Sequence, residues 1–153
     1  MTDEVLEKAA DFIIPFEGFS SEPYKCPADV WTIGYGTTRG VNAGTKPITE
    51  ERGRYLMIED LKEINSDINH VVKTLINKNQ KIALLSFVYN LGIGNFKTST
   101  LLRKLNHHQF EEAANEFKKW VYAGGKELAG LVKRRKAEAE LFLKPDKEIQ
   151  YDA

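Results

Sequence analysis

Apolar positions along this chain recur mostly at helical spacing, interrupted by one short stretch of strand-forming residues. Over residues 3–14, Val5, Ala9, Phe12 and Ile13 share one face, with Thr2 or Asp3 placed to cap the start. Pro15 lacks a backbone donor and restricts Ile14, so it ends or bends this helix, and a short helical turn carries Phe16 and Glu17. Residues 30–48 read as β. WTIGYG, from Trp31, has the aromatic and β-branched enrichment of a strand, and TRGVNAGTKP supplies turn residues. Gly34 and Gly36 let a ligand approach the backbone, or equally mark a bend in a small sheet. Thr49, followed by Glu50 and Glu51, is a helix start: a capping hydroxyl, then acids at the positive end of the helix dipole. Leu56, Ile58, Leu61, Ile64 and Ile68 continue that helix to about His70. Asn77 caps the next helix. Its Ile82, Ala83, Leu85, Phe87, Val88 and Leu91 are apolar nearly all round, as in a buried helix. Gly92 and Gly94 stop it. Further helices are expected at 99–106, 109–122 and 127–143, with Gly124-Gly125 breaking the last two, and the polar tail from Lys144 to Ala153 is expected to fray. The fold class is α+β and mostly helical. A small β-containing N-terminal lobe and a helical C-terminal lobe are joined by a long helix around a cleft. The lobes cover about 14–60 and 70–143, plus the N-terminal helix, within one domain spanning 1–153.

Composition changes this picture little. A chain of 153 residues suits one domain, or two small lobes sharing a helix. No apolar run approaches the ~20 residues that span a bilayer. The N-terminus, MTDEVLEKAADF, is acidic where a signal peptide is basic, so a cytoplasmic start is expected. A single Cys forms no internal disulfide. Formal net charge is zero but unevenly spread: residues 1–60 carry −5 and residues 61–153 carry +5. Such asymmetry steers a polyanion to one lobe or merely solvates two surfaces. The second is the expectation, with no nucleic-acid partner, because exposed charge is mostly non-specific. His70, His107 and His108 lack metal-ligand spacing, and HHQFEE reads as a helix start. No phosphate loop, Ser/His/Asp arrangement or redox CxxC pair is present. Neither cofactor nor metal is expected.

The chemistry concentrates in PFEGFSSEPYKCPADVWTIGYG, residues 15–36. Glu17 lies between Phe16 and Gly18-Phe19. A carboxyl in an apolar frame has its charged form disfavoured and can donate a proton near neutral pH. Glycoside hydrolysis needs such a donor on the leaving oxygen, and usually a second group acting on the opposite face of the sugar. Eight residues separate Glu17 from Cys26, and five more separate Cys26 from Thr32. Taken alone, a lone Cys is usually a small buried hydrophobe, and Thr32 an ordinary strand residue.

Glu, eight residues, Asp or Cys, five residues, then Thr opening TIGYG, resembles the phage-type lysozyme family, which includes the T-even phage lysozyme and the lambdoid endolysins. YNLG at Tyr89, STLLRKLN at 99–106 and WVYAGGKELAGLVKRRKAEAELF at 120–142 match as well, so the resemblance runs from about Leu6 to Leu143. It implies a two-lobed fold and a muramidase that lyses a bacterium from within. The bond cut would be the β-1,4 link between N-acetylmuramic acid and N-acetylglucosamine in peptidoglycan glycan strands. It implies a monomer that leaves the host cytoplasm for the periplasm or wall through a phage pore protein (a holin). On these positions Glu17 would be the general acid, held by Arg134 or, alternatively, Arg135. Cys26 and Thr32 would position or activate water. Tyr89, Asn90 and Ser99 would belong to the sugar-binding wall, although helix-end packing is the plainer reading of all three. Trp31 and Trp120 are expected as core anchors. Cys26 departs from the Asp-bearing members. An unperturbed thiol, with a pKa of about 8.5, is a poorer base than a carboxylate and a better nucleophile. Cys26 either positions water with Thr32, inverting the anomer, or attacks the sugar, giving net retention; the first is preferred because a thioglycoside hydrolyses slowly. Asp29 and Glu22 are the other nearby acids, and Asp29 suits a turn in PADV. Thr37 stands where many relatives have His. Two rivals remain: a lytic transglycosylase, and a catalytically weak peptidoglycan-binding protein that kept the fold.

Overall fold

The computed structural model describes residues 3–146. The expected cap at Thr2 and the tail from residue 147 lie outside the described residues, as does any account of the Asp3 side chain. Helix α1 (Asp3–Ile13) turns Val5, Leu6, Ala9, Ala10 and Ile13 into the core. Pro15 sits in the 3₁₀ turn that follows (Ile14–Phe16). Its ring forbids the next α-helical hydrogen bond, so the chain tightens and then extends at Glu17, whose N–H bonds Ile14 O at 3.0 Å.

Strand β1 (Ser20–Lys25) pairs antiparallel with β2 (Trp31–Gly34), matching Tyr24 to Thr32 and Lys25 to Trp31. Residues 20–25, SSEPYK, carry no sequence signal for a strand. They form one because β2 offers a ladder, and Pro23 is tolerated where the register shifts between Ser20 and Tyr24. The β reading over 30–48 is too long. Beyond Gly34 the chain makes turns, fixed by an Ile33–Thr37 bridge and by Ile48 N–H donating to Ser21 O at 2.9 Å.

The long helix α2 (Glu50–Val71) begins where the sequence indicates, with Thr49 Oγ1 accepting from Arg52 N–H at 3.1 Å. Its first turns meet the β region: a Cβ on Gly53 would lie 2.9 Å from Phe19 and 3.3 Å from Tyr35. Its later turns pack on α3 (Lys78–Leu91), which Asn77 and Gln80 start with a reciprocal capping box. From Lys81 to Val88 every residue of α3 is buried, making it the axis of the helical lobe. Gly92, at φ 87°, ends α3, but Gly94 does not stop the chain: it lies inside a short helix the pattern did not show, α4 (Ile93–Lys97). Helices α5 (Thr100–Asn106), α6 (Phe110–Phe117) and α7 (Ala129–Leu143) complete the layer around α3. Helix α6 is shorter than expected. Residues Tyr122–Ala123 (β3) and Lys126–Glu127 (β4) instead form a hairpin, since Gly124 and Gly125 both take positive φ, as a two-residue hairpin turn requires. Phe87, Phe96, Phe117 and Phe142 fill the centre, with Trp120 edge-on to Phe87 at 5.7 Å. Trp31 is no core anchor: it is only partly buried, beneath Lys25 Nζ, 5.6 Å from its ring.

Candidate active site

Glu17 enters the cleft from the extended residue after the 3₁₀ turn, and its nearest partner is a cation rather than an apolar wall. Arg134 Nη1 donates to Glu17 Oε2 at 2.6 Å across 117 positions of sequence. Every edge of the buried Arg134 guanidinium is occupied: Nη2 donates to Ser86 O at 3.1 Å and Nε to Glu138 Oε2 at 3.4 Å. Phe16, adjacent to the acid, lies under the same guanidinium at 5.5 Å. Of the two arginines, Arg134 therefore partners Glu17. Arg135 turns inward, donating from Nη1 to Glu138 Oε1 at 2.6 Å and from Nη2 to Asn90 Oδ1. Glu138 is fully buried and also accepts from Ser86 Oγ at 2.6 Å. Burial pushes Glu138 up and Arg135 down, each away from its charged form, and the mutual pairing opposes both shifts.

Cys26 opens the turn between β1 and β2. Its N–H bonds Val30 O at 3.0 Å, and Asp29 N–H bonds Cys26 O at 2.8 Å. Hydrogen bonds from the Val30 and Ala28 backbone hold the thiol below its ordinary range. Thr32 is buried next to it, and its Oγ1 donates to Val30 O at 2.9 Å. Cys26 and Thr32 thus form one cluster on the β side of the fold, and Glu17 and Arg134 another on the helical side. Asp29 is a turn residue, with φ 63° and a carboxylate 3.3 Å from Lys25 Nζ that is 81% exposed. The Glu22 side chain is exposed too.

Tyr89 and Asn90, at the end of α3, stand between two cavities. One, of about 290 Å³, is lined by Tyr89, Gly36, Thr38, Arg39, Asp60 and Glu63 among others. The second, of about 580 Å³, contains Glu17, Asn90, Arg134, Phe16, Leu131 and Lys133. Tyr89 OH donates to Tyr35 O at 2.7 Å, tying α3 to the Gly34–Gly36 turn. Burial, reinforced by Glu17 and Asp60, pushes the phenol well up, so it stays a neutral donor. Gly36, at φ 111°, faces that hydroxyl: a Cβ there would lie 3.4 Å from it. Where relatives were expected to carry His, Thr37 Oγ1 donates to Asp60 Oδ2 at 2.9 Å, a hydroxyl–carboxyl hydrogen bond in place of an ion pair. Ser99 does not join the wall. It is buried, accepts from Leu102 N–H at 3.0 Å and donates to Phe96 O at 2.7 Å, so its hydroxyl is fully used as the cap of α5. The sequence reading missed Glu138 and Ser86. Glu138 lies three and four positions after the two arginines, a helical pairing distance, but that spacing also describes any solvated helix face.

Glu17, held by the buried Arg134, thus lines a cavity of about 580 Å³ together with Asn90. The profile of the phage lysozyme family matches residues 15–138. The chain is 40% identical over 142 residues to an endolysin of Acyrthosiphon pisum secondary endosymbiont phage 1, covering 90% of this chain and 97% of that protein. It is 41% identical over 128 residues to a SAR-endolysin of Enterobacteria phage PA-2, covering 83% and 77%. Its fold superposes with a TM-score of 0.84 on the muramidase domain of SpmX from Asticaccaulis excentricus, at 35% identity, covering 90% of this chain and 96% of that one. The chain belongs to the phage lysozyme family and is a glycoside hydrolase.

Proposed function

We propose that the enzyme hydrolyses the β-1,4 bond between N-acetylmuramic acid and N-acetylglucosamine in bacterial peptidoglycan. The observation that carries this reading is the Glu17–Arg134 pair at 2.6 Å in the cleft. Glu17 protonates the bridging oxygen as an oxocarbenium-like centre develops, and Arg134 keeps the carboxyl in one orientation throughout. On the opposite face, Thr32 and Cys26 orient the attacking water. The Thr32 hydroxyl donates to Val30 O, which leaves its lone pairs to accept from a water. A thiol held below its ordinary range supplies more thiolate to receive that water's proton. Water attack opposite the leaving group inverts the anomer, so this step needs no glycosyl-thiol intermediate. A trapped adduct on Cys26 in the intact mass would favour retention instead.

The test is mass spectrometry of the soluble products from purified peptidoglycan. Reducing-end muropeptides are expected. Anhydro-muropeptides, lighter by one water, would make the protein a transglycosylase and remove the role of Thr32. Glu17→Gln abolishes turnover in an enzyme and leaves a mere binder unchanged. In the same reading the protein acts as a monomer on the host wall and reaches it through a pore made by another phage protein. Expression without that partner then leaves cells intact, and spontaneous lysis would mean that the chain has its own export.

A further inference from the structure

Glu138 is the least expected charge in the molecule: fully buried in the helical lobe, it touches neither cavity. Its two oxygens divide the work. Oε1 takes Arg135 Nη1, while Oε2 takes Ser86 Oγ and Arg134 Nε. Each arginine then reaches outward to a cleft residue, Arg134 to Glu17 and Arg135 to Asn90. The second contact fixes more than a distance. A guanidinium has only donors, so it selects Asn90 Oδ1 and turns the Nδ2 donors away from itself. Asn90 shares the 580 Å³ cavity with Glu17, where a hydroxyl or acetamido oxygen of a sugar would meet those donors.

We propose that Glu138 is a positioning residue for catalysis, setting Glu17 through Arg134 and the Asn90 amide through Arg135. The proposal rests on the reading of Glu17 as the acid. The alternative is that Glu138 only neutralises the buried Arg135. A charge-balanced change separates the two, because removing both partners of a buried ion pair is often tolerated where removing one is not. The charged and titratable groups around Glu17 are Arg134, Arg135, Glu138 and Lys133 on α7 and Tyr89 on α3.

The experiment compares wild type, Glu138→Gln and Arg135→Met/Glu138→Gln on purified peptidoglycan, measuring kcat, KM and the pH–rate profile, with folding checked by circular dichroism. Glu138→Gln leaves Arg134 and Arg135 without the carboxylate they share. The added net positive charge moves the alkaline limb of the rate profile to lower pH, and kcat falls by about 10-fold. The double variant restores the charge balance and returns the limb toward wild type, but kcat stays down about 10-fold because Arg134 and Asn90 are no longer held. Glu138→Asp, which keeps the charge, restores the limb as well. A double variant with wild-type kcat would reduce Glu138 to a neutralising role and overturn the proposal, whether or not Glu138→Gln folds. Glu17→Gln run alongside reports on the parent reading: retained turnover there would overturn the assignment of the acid itself.

Discussion

Cys26 shows how much a single side chain depends on the backbone around it. In the sequence it is a lone thiol at a position where the family pattern has Asp or Cys, and taken alone it reads most simply as packing. In the fold it stands at the mouth of a tight turn whose amides face its sulfur, with Thr32 at its side. Amide donors stabilise a thiolate as they stabilise a carboxylate, so the turn compensates in part for the weaker acid-base character of sulfur. Cys26→Asp is therefore expected to keep substantial activity, whereas Cys26→Ala loses most of it, about 100-fold. Equal, near-wild-type rates for both would mean that the thiol only packs. Peroxide should inactivate the wild type and spare Cys26→Asp, because a thiol oxidises stepwise and a carboxylate does not. The spacing from Glu17 to Cys26 to Thr32 was legible in the sequence. The resemblance favoured Arg134 over Arg135 as the partner of Glu17, and the rotation of α7 turns Arg134 to it.

At the scale of elements, caps and glycines were the most readable features. Thr49 and Asn77 start α2 and α3 as expected, since a side-chain acceptor one turn before an apolar run satisfies amides that have no other partner. Strand β1 escaped notice because it is polar and contains Pro23, and the β3–β4 hairpin because its strands are two residues each; their ladders exist only where a neighbouring strand supplies them. Gly53 carries information that helix propensity would misread. A glycine inside a helix lowers stability, yet here any larger residue meets Phe19 at 2.9 Å. Gly53→Ala gains helix propensity but presses on the packing of α2 against Phe19 and Tyr35. The expected net result is a loss of about 1–2 kcal/mol in chemical denaturation, together with reduced activity from a displaced β lobe. A stabilised Gly53→Ala would mean that this contact has slack.

At the scale of the whole molecule, α3 organises everything else, and it contains a charge that the periodicity does not reveal. Lys81 is 4% exposed, and among the described residues its Nζ reaches only amide oxygens on α2: Asn65 at 2.7 Å and Asn69 at 2.5 Å. Burial pulls its pKa down from 10.5 to about 8. Between those values the unfolded chain holds a proton that the folded chain has released, so this group makes stability rise with pH across that window. Below about 8 the buried ammonium carries its full desolvation cost. The difference in melting temperature between wild type and Lys81→Met should accordingly move in favour of the wild type from pH 7 to pH 10. A constant difference would place the ammonium in contact with water. The sequence by itself determined the helical order, the caps, the strand after residue 30 and the acid–thiol–hydroxyl spacing, because each is a local property of a few neighbouring residues. Only the tertiary structure decided that Arg134 holds Glu17, that Glu138 stands behind both arginines, and that Ser99 is a cap while Asn90 faces the cleft. Those assignments depend on which face of α3 and of α7 turns toward the β lobe, and packing of the whole core fixes that rotation.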